Sequence, residues 1–150
     1  MVRAVLQRVT RARVEVEGRM NGEIGAGLAV LIAVGRGDSA ETAAAMAEKI
    51  VQLRIFNDER GKMNRSLADA GGAVLVVSQF TLYGDVRGQR RPSFMGAASA
   101  EQGKAVYEEF VSALRALGVR VETGVFQAHM QVELVNDGPV TLLLDSEKAF

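Results

Sequence analysis

The sequence predicts one α/β domain, residues 1–150, with a mixed β-sheet and two main helices packed on one side in the order ββ-(βα)2-βββ. Three observations predict it. Both ends of the chain carry alternating, β-branched segments, and two strand-length runs in the middle, Leu28–Val34 and Val74–Val77, are wholly apolar. Each apolar run is followed by a helix-start signal and a stripe of period 3.6, the pattern of βα units. With 150 residues and 48% hydrophobic content, the chain has the size and core of a single domain.

The elements follow in order. Val2–Val9 reads as a strand, and Arg13-Val14-Glu15-Val16-Glu17 alternates so that Val14 and Val16 face inward, with Gly18 to Gly22 as the turn after it. Leu28–Val34 is apolar throughout, as expected of a strand covered on both faces. Asp38 and Glu41 have the spacing of a capping box, and Ala43, Met46, Ala47, Ile50 and Leu53 share one face, which places a helix over about residues 39–54. Val74–Val77 is the next strand. Ser99, three residues before Gln102, starts a second helix with Val106, Phe110, Leu114 and Leu117 as its stripe and Gly118 as its C′ residue. Strands around Val119–Thr123, Met130–Val135 and Val140–Asp145 complete the chain.

Composition excludes several chemistries. There is no cysteine, which removes disulfides, thiolate zinc sites and cysteine nucleophiles, and suits a reducing cytoplasm. The longest apolar run, Leu28 to Val34, is too short to span a bilayer, so no membrane partner is expected. Eighteen basic and eighteen acidic residues cancel, leaving no global field for nucleic acid. Two local basic groups stand out: the five arginines of residues 1–19, and Arg87, Arg90 and Arg91. The one histidine, His129, has no H-E-x-x-H or similar spacing around it, so neither a metal nor a cofactor is expected. A lone histidine just before a strand reads first as a surface or edge residue.

Gly35-Arg36-Gly37-Asp38-Ser39-Ala40 matches a G-x-G-x-x-A dinucleotide fingerprint after a strand. Asp38 would set a carboxylate where the pyrophosphate sits, so a tight strand-to-helix turn is the better reading. More informative is Ser78-Gln79-Phe80-Thr81-Leu82, where the apolar strand turns polar. Those polar groups need partners in the core or in a ligand. Ser78 and Thr81 have no histidine, lysine or acid beside them to activate a hydroxyl, which suits hydrogen bonding or backbone donors better than covalent attack. Asn136-Asp137-Gly138-Pro139-Val140-Thr141 reads as a hairpin turn between two strands, and Gly138-Pro139 is a candidate cis peptide.

Taken together, S-Q-F-T-L at Ser78–Leu82 and N-x-G-P-V-T at Asn136–Thr141 resemble the two signatures of the D-aminoacyl-tRNA deacylases. Gln7-Arg8-Val9, Gly22–Gly25, Arg54-Ile55-Phe56, Gly61–Asn64, Arg91–Phe94 and Met130-Gln131-Val132 extend the resemblance over nearly the whole chain. It implies a layered, barrel-like domain and a cytoplasmic homodimer that hydrolyses the ester between a D-amino acid and the 3′-terminal adenosine of tRNA, without a cofactor. It also implies that Ser78, Gln79, Phe80 and Thr81 form the catalytic segment, and that a cis Gly138–Pro139 pair enters the other subunit's pocket to reject L-amino acids. Glycyl-tRNA would then be cleaved too. Arg8 becomes a candidate gate to the pocket, and Arg87, Arg90 and Arg91 become candidate contacts to the acceptor stem. Whether Thr81 attacks, or backbone groups and the substrate's 2′-hydroxyl do the work, stays open. So does a non-catalytic D-amino-acid or nucleotide-binding module.

Overall fold

A computed structural model describes all 150 residues. β1 (Arg3–Val16) is the longest strand of the first half, and β2 (Arg19–Ile24) returns along it. The predicted break between Val2–Val9 and Arg13–Glu17 is absent, and the turn is shorter than Gly18 to Gly22. Glu17 and Gly18 alone reverse the chain, at φ 53° and 77°. Two successive positive-φ residues are what a tight hairpin of matching twist requires, and Gly22 instead sits inside β2.

β3 (Gly27–Ala33) pairs antiparallel with β1 and parallel with β6 (Ala73–Ser78), which pairs parallel with β7 (Val121–Thr123). Side chains on β6 alternate between two cores. Val74 and Val76 face α1 (Ala40–Gln52) and α3 (Ala100–Ala116), while Leu75 and Val77 face a smaller core with Val9, Ala12, Val14 and Ile24. That two-sided burial explains why β3, and β6 as far as Val77, are apolar throughout. The seam between β2 and β7 is bridged by Asn21 Nδ2, which donates to Thr123 O at 2.7 Å, so the mixed sheet nearly closes into a barrel.

Helix α1 is capped by Ser39 with Thr42, one residue later than the Asp38–Glu41 spacing suggested. Asp38 instead folds back to accept from Gly35 N–H at 2.7 Å. Its stripe Ala43, Met46, Ala47 and Ile50 is buried against α3. In α3 the buried face includes Val106, Phe110 and Leu114, but Leu117 is the exposed C-cap, followed by Gly118 at φ 84°. Between α1 and β6 lie a small hairpin, β4 (Phe56–Asn57) with β5 (Met63–Arg65), and the one-turn α2 (Leu67–Ala70), none of which the periodicity announced.

The final strand corrects the reading of its segment most. β8 runs unbroken over Met130–Asp145 and pairs antiparallel with β1 along both halves. The register passes from Val9↔Asn136 to Gln7↔Thr141. Two steps on β1 face five on β8, so Asp137, Gly138, Pro139 and Val140 form a bulge and not a hairpin. A hairpin would reverse direction, and both flanks here keep the same partner.

Both tyrosines are held as neutral phenols. Burial raises Tyr107 from 10.0 to about 12, and burial followed by the Asp38 carboxylate raises Tyr83 to about 12. A phenol whose pKa is higher when folded contributes stability that is complete below the unfolded value, near pH 10, and lost as pH rises through about 12. In a spectrophotometric titration of the folded protein, the tyrosinate band should therefore develop only near pH 12. A band developing near pH 10 without unfolding would contradict this burial.

Candidate active site

Strand β6 ends at Ser78, opposite Ile32 of β3, and Gln79 N–H continues the ladder by donating to Ile32 O at 2.8 Å. The chain then leaves the sheet as a 3₁₀ turn, Phe80–Tyr83. Leu82 N–H donates to Gln79 O at 3.1 Å, and Gly84 N–H to Thr81 O at 2.9 Å. The first amides of such a turn, Phe80 and Thr81, have no carbonyl within it to bond, and no carbonyl outside the regular elements accepts from them. The Gln79 side-chain amide donates to the Thr81 hydroxyl. Phe80 stays exposed, its ring edge-on to Phe94 at 5.1 Å between centroids.

Ser78, Gln79 and Phe80 line a cleft of about 510 Å³, together with the N-terminal end of α3 and the loop before β8. Thr81, Gly138, Pro139 and the arginines are not among its walls. The loop adds Phe126, Gln127, Ala128 and His129. By sequence alone His129 reads first as a surface or edge residue. It is exposed, and it also rims the cleft, the one imidazole within reach of a ligand there. Nothing in its local sequence signals this, since only the return of the loop beside β6 puts it there.

Gln127 adopts φ 66°, the left-handed region that costs an L-residue about 1 kcal/mol. Gln127→Gly should therefore raise the thermal midpoint by about 2–4 °C. An unchanged or lower midpoint would show that the Gln127 side chain compensates for its backbone.

The second motif forms a separate structure. Asn136 staples the neck of the bulge: its Nδ2 donates to Gln7 Oε1 at 2.7 Å and to Thr141 Oγ1 at 3.1 Å, while its Oδ1 accepts from Val140 N–H at 2.9 Å. Arg8 lies beneath, 7% exposed. It donates from Nε to Asp137 O at 3.0 Å and from Nη1 to Ile55 O at 2.8 Å and Asn57 Oδ1 at 3.1 Å. Its Nε and Nη1 donors are used inside the fold. Gln7-Arg8 and Asn136–Thr141, 129 residues apart, are thus one unit that presents Gly138 and Pro139 to solvent. The Gly138–Pro139 peptide is cis.

Of the three arginines expected on the surface, Arg87 is bound to Asp85 through Nε at 2.9 Å and Nη2 at 2.7 Å. Those bonds hold the Asp85 carboxyl down at about 2. Arg90 and Arg91 are exposed and make no ion pair. The Gly35–Ala40 turn leaves little for a dinucleotide, because Asp38 already occupies Gly35 N–H. No three His, Cys, Asp or Glu side chains gather as a metal site would need, and no helix is long and apolar enough to cross a membrane.

Known proteins are similar to this chain in sequence and in fold. The sequence model described as D-Tyr-tRNA(Tyr) deacylase matches residues 5–145. The D-aminoacyl-tRNA deacylase of Symbiobacterium thermophilum is 62% identical over 150 residues, covering 100% of this chain and 99% of that one. That of Koribacter versatilis is 62% identical over 149 residues, covering 99% and 100%. A solved structure titled c-Myc DNA Unwinding Element Binding Protein superposes with a TM-score of 0.89 at 41% identity, covering 95% of this chain and 97% of its own. Another, of a probable eukaryotic D-amino acid tRNA deacylase, superposes at 0.84 with 20% identity over 95% and 98%, a likeness of fold. By the extent of these matches, the chain belongs to the D-Tyr-tRNA(Tyr) deacylase family.

Proposed function

We propose that this protein hydrolyses the ester joining a D-amino acid to the 3′-terminal adenosine of tRNA, acting in the cytoplasm as a homodimer. One observation carries the reading: the turn whose first two amides have no carbonyl within it to bond borders a cleft of about 510 Å³, a volume suited to a small ligand group. Amide donors fixed by a turn stabilise a developing oxyanion without reorganising. The Phe80 and Thr81 N–H groups take that role, and the 2′-hydroxyl of the adenosine helps activate water.

Two facts support a dimer. β8 pairs on one edge only, leaving 16 residues of edge strand with Val132, Val135 and Leu143 exposed. Gly138 and Pro139 are exposed and absent from the walls of the cleft in their own chain. In the dimer, Gly138 and Pro139 of the partner subunit close the cleft. With the amino group and ester held, an L-side chain points into their carbonyls and a D-side chain points outward. Glycine has nothing to reject, so glycyl-tRNA is also cleaved. Arg90 and Arg91 contact acceptor-stem phosphates, and Arg8 acts by shaping the bulge.

The test is release of amino acid from D-tyrosyl-, L-tyrosyl- and glycyl-tRNA by the purified protein. Hydrolysis of the D- and glycyl-esters with the L-ester spared supports the proposal. Binding of D-tyrosyl-tRNA without release would make the protein a binding module, and equal hydrolysis of both enantiomers would remove the steric account.

A further inference from the structure

Outside the cleft, the turn Phe80–Tyr83 is gripped by a cluster that is not among the cleft walls. Arg3, the first residue of β1, reaches three groups at once. Its Nη1 donates to Leu82 O at 3.5 Å, its guanidinium carbon lies 4.5 Å from the centre of the Tyr83 ring, and its Nε is 3.3 Å from Asp145 Oδ2. Asp145, the last residue of β8, is the cross-strand partner of Arg3, and its carboxylate has no exposure. The other carboxylate oxygen accepts from Glu147 N–H at 2.7 Å. Tyr83 is buried, and its hydroxyl donates to the Met1 carbonyl.

A carboxylate taken fully out of water carries a desolvation cost that its ion pair and hydrogen bond must offset, so such a pair is weak evidence for a purely stabilising role. The placement suggests another role. Without Arg3, the Leu82–Tyr83 end of the turn keeps only its internal bonds and the Tyr83 contacts. We propose that Arg3, oriented by Asp145, is a positioning residue for deacylation: it fixes the far end of the turn and so the direction of the Phe80 and Thr81 amides. The inference rests on the reading that those amides meet the developing oxyanion. Planarity matters here, because a guanidinium can bond a carboxylate, cover a ring and reach a carbonyl together, which a lysine ammonium cannot do.

Donors aimed at charge that develops only in the transition state affect kcat and leave substrate binding unchanged. Steady-state deacylation of D-tyrosyl-tRNA would be compared for wild type, Arg3→Met and Arg3→Lys below their unfolding transitions, with amide NMR spectra of each. Arg3→Met should lower kcat by about 10- to 100-fold, the cost of a donor misplaced by a fraction of an ångström, with KM unchanged. Arg3→Lys should fall between the two. The Phe80 and Thr81 amide resonances should move in Arg3→Met while those of α1 stay in place. A kcat within about twofold of wild type, a loss carried by KM, Arg3→Lys no better than Arg3→Met, or unmoved Phe80 and Thr81 resonances would each overturn the proposal. Should Arg3→Met not fold, Asp145→Asn, close to isosteric, is read by the same criteria. A wild-type protein inactive on D-tyrosyl-tRNA would defeat the proposed function instead, and the amide shifts would still decide whether Arg3 sets the turn.

Discussion

Gly138→Ala should lower D-aminoacyl-tRNA deacylation by about 10²-fold, through displacement of the bulge by an ångström or less. Gly138 has φ +130°, where L-side chains rarely sit. A Cβ there would lie 2.8 Å from Val140 Cγ2, 3.0 Å from Arg8 Nη2 and 3.2 Å from Val140 N. Arg8 cannot yield cheaply, since its other nitrogens are bonded to Asp137 O, Ile55 O and Asn57 Oδ1. The bulge therefore moves. Subunit mixing shows where the effect is felt. Phe80→Pro, which deletes one amide donor, should be inactive as a homodimer, but a mixed dimer with Gly138→Ala contains one site with an intact turn and an intact bulge. Recovered activity on mixing supports a bulge acting across the interface. Two inactive proteins that stay inactive on mixing would place the bulge in its own subunit's site.

The second large effect concerns the proton. A substrate ending in 2′-deoxyadenosine should be cleaved about 10²-fold or more slowly, the usual contribution of a positioned acid–base group. Thr81→Val should keep most of its turnover, because the Thr81 hydroxyl accepts from the Gln79 amide and has no base beside it to activate it. His129 makes the comparison sharper, since its imidazole does rim the cleft. If His129→Gln abolishes turnover while the deoxy substrate is still cleaved, the base belongs to the protein. If Thr81→Val abolishes turnover with binding intact, Thr81 is the nucleophile. Retained activity in both variants with loss on the deoxy substrate leaves the 2′-hydroxyl in the role.

The parts of this fold that could be read from sequence are those whose cause is local. Ala43, Met46, Ala47 and Ile50 share a face because a helix repeats every 3.6 residues, and Gly118 ends α3 because its φ of 84° suits glycine. The candidate site was legible for a similar reason. A serine and a glutamine at the end of an apolar strand need partners, and Ser78 and Gln79 do line the cleft. Where the local signal was ambiguous, the reading slipped. Asn-Asp-Gly-Pro is as good a hairpin turn as a bulge, and the polar β2 looked like part of a turn because its pairing with β1 depends little on hydrophobic alternation.

The sequence by itself determined a mixed α/β domain with two helices on one face, a polar segment ending a buried strand, and a family whose two motifs are intact at Ser78–Leu82 and Asn136–Thr141. Only the tertiary structure decided how those pieces meet. It placed Arg8 under the bulge, separated Gly138–Pro139 from the cleft of their own chain, brought His129 to the rim, and joined Arg3 to Asp145 across 142 residues. The physical reason is the same in each case. Propensity and periodicity act over a few residues, whereas strand register and the burial of polar groups are settled by contacts between residues far apart in the chain.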